Sequence, residues 1–441
     1  MKKKIFMITV LLVAALLLTG CSIKTVEQLY RLPKRSAAYT NLQAAIDQAM
    51  HGLEYCAPLT GENQQNVQMT DLDGNGEDEY LVFAKSTSEK PLRILVFGNC
   101  DGVYRNTDTI ECNGSSFDQV EYVDMDGVPG RELVVGRQLS NQVIRSVSVY
   151  QYTPDGIVQL ATMNYNKFLC VDLDGNNQME LFLLGPGQTE MDKGVAELYS
   201  VKNGAVERYN EVLMSQPVSM LKRVITGKLD GGKQAVFVAS AVADTSLVTD
   251  VYTVIDEKLE NVTLSNEAGT GIQTMRNYYV YADDIDNDGV VELPHLITMK
   301  PMVEGSTDAD KHHLICWYAM TTEGAEVNKM YTYHNFVGGW YMQFSEELSF
   351  KLTVINLGNQ YEFYLWNKSY TNTVKIMTVY ELTGQGREEQ ALTDSRFILL
   401  KTESVLYAAK LEDVAQRYDL NQEKVVYSFR LIQQDWKTGE T

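Results

Sequence analysis

The chain has 441 residues, and its 58 Asp and Glu residues outnumber its 38 Lys and Arg residues to give a formal net charge of -20. Such a charge is repelled by phosphate backbones and anionic lipid headgroups, so the composition excludes nucleic acid as a partner and electrostatic attachment to a membrane. It also gives the surface an affinity for divalent cations. The length is sufficient for more than one ordinary domain or for one large repeat domain.

The N-terminal residues have the features of a secretion signal. Three lysines at positions 2 to 4 precede an apolar run from Ile5 to Leu18, which is too short to span a membrane. The run ends in Leu18-Thr19-Gly20-Cys21, which resembles the lipobox of bacterial lipoproteins. The resemblance implies a signal peptide over 1–20, a lipid on Cys21, a tether over 21–38, and a location on the extracytoplasmic face of a bacterial membrane. The alternative is an ordinary signal peptide with an incidental cysteine.

The first predicted element of the mature chain is a short amphipathic helix. Within Tyr39 to Met50, four small or apolar residues fall on one helical face and predict packing against the neighbouring sheet: Leu42, Ala45, Ile46 and Ala49.

An acidic loop then recurs along the chain. Its copies begin at residues 71, 124, 172, 228 and 284, which is a period of about fifty residues and indicates a repeat architecture. The complete copies carry Asp, Asn or another oxygen ligand at loop positions one, three and five, and a glutamate at position nine. Hard cations such as calcium prefer several oxygen ligands, and a tight loop containing glycine lets alternate side chains converge on one point.

The loops begin like EF-hands but depart from that motif in two ways. An EF-hand requires a glutamate at position twelve and a following helix. Position twelve is instead Val82, Val135, Leu183 or His295, and β-type sequences follow the loops. The EF-hand interpretation is therefore excluded.

The loops resemble the FG-GAP/VCBS type of repeat over about 67–340, in which an Asp-rich loop joins strands of a β-propeller blade. The resemblance implies calcium ligands at Asp71, Asp73, Asn75 and Glu79, at Asp172, Asp174, Asn176 and Glu180, and at Asp284, Asp286, Asp288 and Glu292. A weaker site comprises Asp124, Asp126 and Glu132, because Val128 occupies position five. The copy at 228–236 retains Asp230 and is predicted to bind nothing. The alternative throughout is a metal-free turn, since Asp and Asn beside Gly also bond their own backbone.

Short apolar stretches between the loops predict three or four strands per repeat, so the fold class is mainly β. We expect a β-propeller, together with the N-terminal helix, over 39–340. Beyond it, strand-like runs precede Val425, Val426, Phe429 and Ile432, which fall at helical spacing. This mixture predicts a smaller α+β domain over 341–441, with extra degenerate blades as the alternative.

No motif for nucleophilic or metal-dependent hydrolysis is present in the sequence. The pair His312-His313 is interpreted as a solvated loop. The favoured hypothesis is therefore a lipid-anchored, calcium-stabilised binding or scaffold protein, with an envelope protein or a polysaccharide as its partner, and not an enzyme. The alternative is an extracellular carbohydrate-active lyase or hydrolase built on a propeller.

Overall fold

The computed structural model describes residues 37–432, apart from 140–143, 154, 190, 266, 268, 278–279, 300–312 and 368–371. The signal peptide, Cys21, most of the tether and His312 therefore lie outside the described residues. The described chain is mainly β, with antiparallel sheets and few helices, as the sequence predicts. In this part of the chain, no helix combines the length and the apolarity that crossing a membrane requires.

The first sheet has five strands, β1 (Glu54–Tyr55), β2 (Val67–Thr70), β3 (Glu79–Lys85), β4 (Leu92–Cys100) and β5 (Val103–Cys112). Strand β3 pairs with β1, β2 and β4, and β5 forms the outer edge. Helix α1 (Ala37–Ala49) packs on this sheet, because Leu42 and Ile46 are buried against Val82, Leu95 and Phe97. The predicted amphipathic helix and its packing are confirmed.

The next three sheets are four-stranded antiparallel meanders, in which each strand pairs with the one that follows it in the chain. The second comprises β6 (Ser116–Val123), β7 (Glu132–Gln138), β8 (Arg145–Thr153) and β9 (Gly156–Tyr165). The third comprises β10 (Lys167–Val171), β11 (Glu180–Gly185), β12 (Val195–Lys202) and β13 (Ala205–Leu213). The fourth comprises β14 (Leu221–Lys228), β15 (Gln234–Ala243), β16 (Ser246–Ile255) and β17 (Lys258–Asn261). Two 3₁₀ turns, Val218–Met220 and Ile272–Thr274, flank this fourth sheet.

The last two sheets have five strands each. The fifth comprises β18 (Glu292–Thr298), β19 (His313–Met320), β20 (Glu326–Asn335), β21 (Trp340–Phe344) and, at its edge, β27 (Phe429–Leu431). The sixth comprises β22 (Leu352–Asn356), β23 (Gln360–Leu365), β24 (Val374–Thr383), β26 (Val405–Leu411) and β25 (Phe397–Lys401), in that spatial order. Helices α2 (Glu346–Ser349), α3 (Arg387–Gln390) and α4 (Gln422–Ser428) and a 3₁₀ helix (Asp413–Tyr418) complete this region.

Each sheet packs face to face on the sheet that follows it in the chain. Phe83 of the first sheet lies edge-on to Phe117 of the second, with ring centroids 5.1 Å apart. Phe182 of the third and Tyr252 of the fourth have centroids 5.4 Å apart. Equivalent buried clusters join the second sheet to the third, the fourth to the fifth, and the fifth to the sixth. This burial of apolar surface between successive sheets is the main source of stability, at roughly 25 cal/mol per Å².

The C-terminal segment returns to the fifth sheet. Val425 lies in α4, as the helical spacing predicts, but Phe429 begins strand β27 and pairs with Met342 of β21. The prediction that the helix continues through Phe429 is wrong, because the open edge of β21 captures the chain as a strand. Phe429 also packs on Trp340, with ring centroids 5.3 Å apart. The region after 341 therefore shares a core with the fifth sheet.

Five cysteines of the described chain are free thiols: Cys56, Cys100, Cys112, Cys170 and Cys316. Cys100 pairs with Val103 and Cys112 with Leu92 in the β4–β5 ladder, so the two cysteines lie at opposite ends of the hairpin.

Candidate metal-binding loops

Each acidic loop leads into a strand, and its glutamate begins that strand. The loops join β2 to β3, β6 to β7 and β10 to β11, and the last one precedes β18, the first strand of the fifth sheet. Glu79, Glu132, Glu180 and Glu292 are the first residues of β3, β7, β11 and β18. Strands therefore follow the loops, which confirms the exclusion of an EF-hand.

An apolar residue at the second loop position fixes each loop to the core. Leu72, Met125, Leu173, Leu229 and Ile285 are all buried. In the third sheet, the backbone N–H of Leu173 donates to Oε2 of Glu180 over 2.8 Å, and the same bond recurs in the three other loops that keep the glutamate. The glutamate is thus held inward by the residue that anchors the loop, with one oxygen used.

The loops also require left-handed backbone at their fourth position. Gly74, Gly127, Gly175 and Asn287 have φ values of 76°, 75°, 83° and 62°. Glycine and asparagine tolerate this conformation best. At Gly74 the requirement is also steric, because a Cβ atom there would stand 2.4 Å from the carbonyl carbon of Pro129 in the next loop.

The first aspartate of each loop accepts hydrogen bonds from the backbone that follows it. Asp172 accepts from Gly175 over 2.7 Å and from Asn177 over 2.9 Å, and Asp284 accepts from Gly289 over 2.9 Å. These bonds are those of the metal-free turn considered above. They leave further lone pairs on the carboxylates, so the turn geometry and metal binding are compatible.

Three carboxylates converge in each of the four loops that keep the glutamate. One oxygen of each lies within 4.8 Å of the other two in four sets: Asp71, Asp73 and Glu79; Asp124, Asp126 and Glu132; Asp172, Asp174 and Glu180; Asp284, Asp286 and Glu292. Calcium–oxygen bonds are about 2.3–2.6 Å long, so ligands of one ion are separated by up to about 5 Å. The spacing fits one calcium ion per loop.

Two glutamates have an oxygen with no hydrogen-bond partner. Oε1 of Glu180 and Oε1 of Glu292 are buried and unpaired within the described structure, and both residues are 0% exposed. Burial, with the charges of the neighbouring aspartates, raises the pKa of Glu180 to about 7 and that of Glu292 to about 8. An unpaired buried carboxylate oxygen is costly unless a cation or a proton compensates it. The residues of these two loops therefore fit a metal ion.

In the loop at 124–132, a side-chain amide pairs with the carboxylate oxygens. The amide nitrogen Nε2 of Gln151 donates to Asp126 over 2.6 Å and to Oε1 of Glu132 over 3.4 Å. Burial, with the nearby Asp126 and Asp124, raises the pKa of Glu132 to about 7. Gln151 occupies oxygens that an ion would need, in agreement with the weaker site expected from Val128. In the third sheet, Tyr209 similarly donates to Asp174 over 2.7 Å.

Backbone hydrogen bonds link neighbouring loops. Arg131 N–H donates to the carbonyl of Leu72 over 3.1 Å, and Met179 N–H donates to that of Asp124 over 2.7 Å. Val291 N–H donates to the carbonyl of Lys228 over 3.0 Å. In these three pairs the loops therefore lie side by side, and an ion in one loop would stiffen a contact between two sheets.

Sequence comparison identifies no relative: no protein-family model and no curated protein matches the chain. Among solved structures, the rhamnogalacturonan lyase YesW is 12% identical with a TM-score of 0.29, covering 73% of this chain and 74% of that one. The Bacillus licheniformis rhamnogalacturonan lyase PL11 is 9% identical with a TM-score of 0.30, covering 88% and 98%. Chaetomium thermophilum Sqt1 is 8% identical with a TM-score of 0.31, covering 80% and 97%. Such low scores assign neither a fold nor an activity to this chain.

Proposed function

We propose that this protein is a lipid-anchored, calcium-stabilised β-propeller that binds an envelope protein or a polysaccharide outside the cytoplasm. The observation that carries the calcium assignment is the pair of buried, unpartnered carboxylate oxygens of Glu180 and Glu292, each within a cluster of three converging acidic groups. Calcium is a hard cation that prefers such oxygen sets.

The propeller assignment is supported by six antiparallel sheets that follow one another along the chain. Sheets two, three and four are four-stranded meanders, and each successive pair of sheets in the chain shares a buried core. A propeller repeats such sheets around an axis. A crystal structure tests this directly: contact between the sixth sheet and the first is expected, and an open arc of sheets would contradict it.

The membrane anchor is supported by Leu18-Thr19-Gly20-Cys21 after a basic and apolar leader. The test is metabolic labelling of the full chain with a fatty acid analogue. Label and membrane association are expected for the natural chain and for Cys56→Ala, and neither is expected for Cys21→Ala. Equal labelling of the Cys21→Ala variant would contradict the anchor.

The calcium sites are tested by thermal unfolding of the full chain in detergent. Chelator is expected to lower the melting temperature by several degrees, and calcium in excess to restore it by linkage. Asp284→Ala should reduce the rise in melting temperature that calcium produces. A melting curve that neither chelator nor Asp284→Ala moves would identify the loops as metal-free turns.

The binding role is tested by recovering partners of the lipidated protein from detergent-solubilised membranes and on a glycan array. Recovery of a specific envelope protein or glycan supports a binding protein. The carbohydrate-active alternative predicts release of new sugar ends from a polysaccharide, and such turnover would overturn the purely binding function.

A further inference from the structure

A cavity of about 720 Å³ lies beside the last strands of the fifth sheet. Its walls come from β21, α2, the 3₁₀ helix Asp413–Tyr418 and α4. Its volume falls within the range of about 300–1,000 Å³ that is typical of small-molecule sites. It shares no residue with the acidic loops.

The floor of the cavity is apolar and its rim is polar. Phe344, Leu348 and Leu420 line the floor and are no more than 8% exposed. The rim includes exposed acidic and amide side chains, which supply hydrogen-bond acceptors and donors: Asp419, Asn421 and Glu423. A sugar ring has the matching character, with an apolar C–H face and hydroxyl groups around its edge.

An aromatic ring stands open at this rim. Tyr427 is 74% exposed, although it projects from a helix whose Val425 is fully buried. The guanidinium of Arg430 lies 5.2 Å from the Tyr427 ring centroid. The backbone beneath is anchored, because β27 follows α4 directly and pairs with β21. A tyrosine has only two side-chain torsions, so an exposed tyrosine ring on an anchored backbone offers a ligand contact area at a low cost in conformational entropy.

Two basic side chains line the cavity, and they differ in their ion pairing. Lys424 forms an ion pair with Asp419. Arg417 is exposed, lines the same cavity, and forms no ion pair with any side chain in the described residues. A guanidinium presents a planar fork that binds carboxylates in two-point fashion.

We propose that this cavity binds a short saccharide that carries a carboxylate. A sugar face would pack on Tyr427 and the apolar floor, hydroxyls would bond Asp419, Asn421 and Glu423, and the carboxylate would bond Arg417. The acidic rim residues disfavour a phosphate-rich ligand, which would place several negative charges among them. The inference deepens the proposed function by naming its ligand class and site.

The experiment is isothermal titration of the full chain in detergent with an oligosaccharide of about four sugars, of which one is a uronate. The matched probe is the same oligosaccharide with its carboxylate reduced to an alcohol. The acidic probe is expected to bind at least about tenfold more tightly than the neutral one, corresponding to the loss of one charge-assisted contact.

Two variants and two matched controls locate the binding. Tyr427→Ala is expected to weaken both probes about tenfold, whereas Arg417→Gln should weaken the acidic probe alone and abolish the discrimination. Tyr55→Ala and Arg105→Gln change exposed residues of the first sheet and should bind as the natural chain does. Unchanged melting temperatures show that each variant is folded.

The inference is overturned if neither probe binds, if both probes bind equally, or if Tyr427→Ala and Arg417→Gln bind as the natural chain does. These results are separate from those that decide the proposed function. If the cavity binds no saccharide, the proposed function can still be supported by calcium-dependent melting, by fatty acid labelling and by recovery of an envelope protein.

Discussion

Lys329 donates to Asp230 across two neighbouring sheets, with 2.7 Å between Nζ and Oδ1. Asp230 belongs to the loop at 228–236, which lacks the glutamate. In its ladder Ala235 pairs with Gly227, at the place where Glu180 pairs with Val171 in the third sheet. The hydrogen bond to Asp230 raises the pKa of Lys329, and the negative charges of Asp288 and Glu292 raise it further. The Lys329 ammonium group therefore pairs with the degenerate loop at 228–236 and also interacts with the charges of the loop at 284–292.

This arrangement gives the degenerate loop a built-in cation. The loop keeps its buried Leu229, and its turn closes through the backbone, because Leu229 N–H donates to the carbonyl of Lys233 over 2.8 Å. With a lysine at its one remaining aspartate, this loop has no need of a metal. The same ammonium group would repel a divalent ion in the loop at 284–292 and so weaken its binding there.

Replacing the lysine should therefore strengthen calcium binding. We expect Lys329→Met to raise the calcium affinity of the loop at 284–292 about fivefold, or roughly 1 kcal/mol, because a nearby positive charge is removed. Calcium titration followed by calorimetry measures it. Lys401→Met, which removes an exposed ion pair with Glu388, is the control and should leave the affinity unchanged. Unaltered affinity in Lys329→Met would show that the ammonium does not act on this loop.

A second prediction separates the charge of Glu292 from its role as a ligand. Without calcium, Glu292→Gln should melt no lower than the natural chain, because burial already disfavours its charged form. The calcium-induced stabilisation, which reaches about 2.7 kcal/mol for one site at about 100 times Kd, should fall. Glu132→Gln is the matched control, since Gln151 already bonds that carboxylate, and its calcium response should be unchanged. If Glu292→Gln lowers the melting temperature equally with and without calcium, the role of Glu292 is purely structural.

Local features of the fold were predictable from the sequence, and contacts distant in the chain were not. The strand after each loop follows from apolar sequences such as that beginning at Tyr80, and the helix around Ile46 follows from its periodicity. Residues 228–236 lack the glutamate, so their inability to form a full acidic set was also evident. All of these signals lie within a few residues of one another.

The residues that modify the loops come from elsewhere in the chain. Gln151 lies 25 residues after Asp126, and Lys329 lies 99 residues after Asp230. No spacing rule relates such pairs, because only the packing of strands brings them together. Phe429 was assigned to a helix for the same reason: local spacing carries no information about the free edge of β21.

A third prediction concerns acid stability. His334 is buried, with its ring stacked on Tyr341 at 5.0 Å between centroids, and burial lowers its pKa to about 3. Between about pH 6.5 and pH 3 the unfolded chain binds a proton there that the folded chain does not, so stability falls as pH falls. At about pH 5.5 the loss is about 1.2 kcal/mol relative to pH 7.

Denaturant unfolding at the two pH values checks this. His334→Phe should remove that part of the acid sensitivity, whereas the same change at exposed His51 should not. An identical pH dependence in His334→Phe and the natural chain would show that His334 titrates normally in the folded state.

The fourth prediction concerns a buried carboxylate that holds two connecting segments to the fourth sheet. Asp250 of β16 is 0% exposed and accepts from the backbone N–H of Ser215 over 2.8 Å, from its hydroxyl over 2.6 Å, and from Nδ2 of Asn261 over 2.9 Å. The Ser215 hydroxyl in turn accepts from the N–H of Gly271 over 2.7 Å. These four bonds fix the segment before β14 and the one after β17.

Asp250→Asn keeps the shape but replaces one acceptor oxygen by a donor, which leaves either Ser215 or Asn261 facing another donor. We expect a loss of about 2 kcal/mol in the free energy of unfolding, because a buried donor without an acceptor costs about 1–3 kcal/mol. Urea unfolding measures it, with the exposed Asp244→Asn as the control. The disrupted hydrogen bonds, more than the lost charge, should account for this decrease in the free energy of unfolding, because burial raises the pKa of Asp250 and so disfavours its charged form. If Asp250→Asn unfolds at the same urea concentration as the control, Asp250 is dispensable for holding these segments.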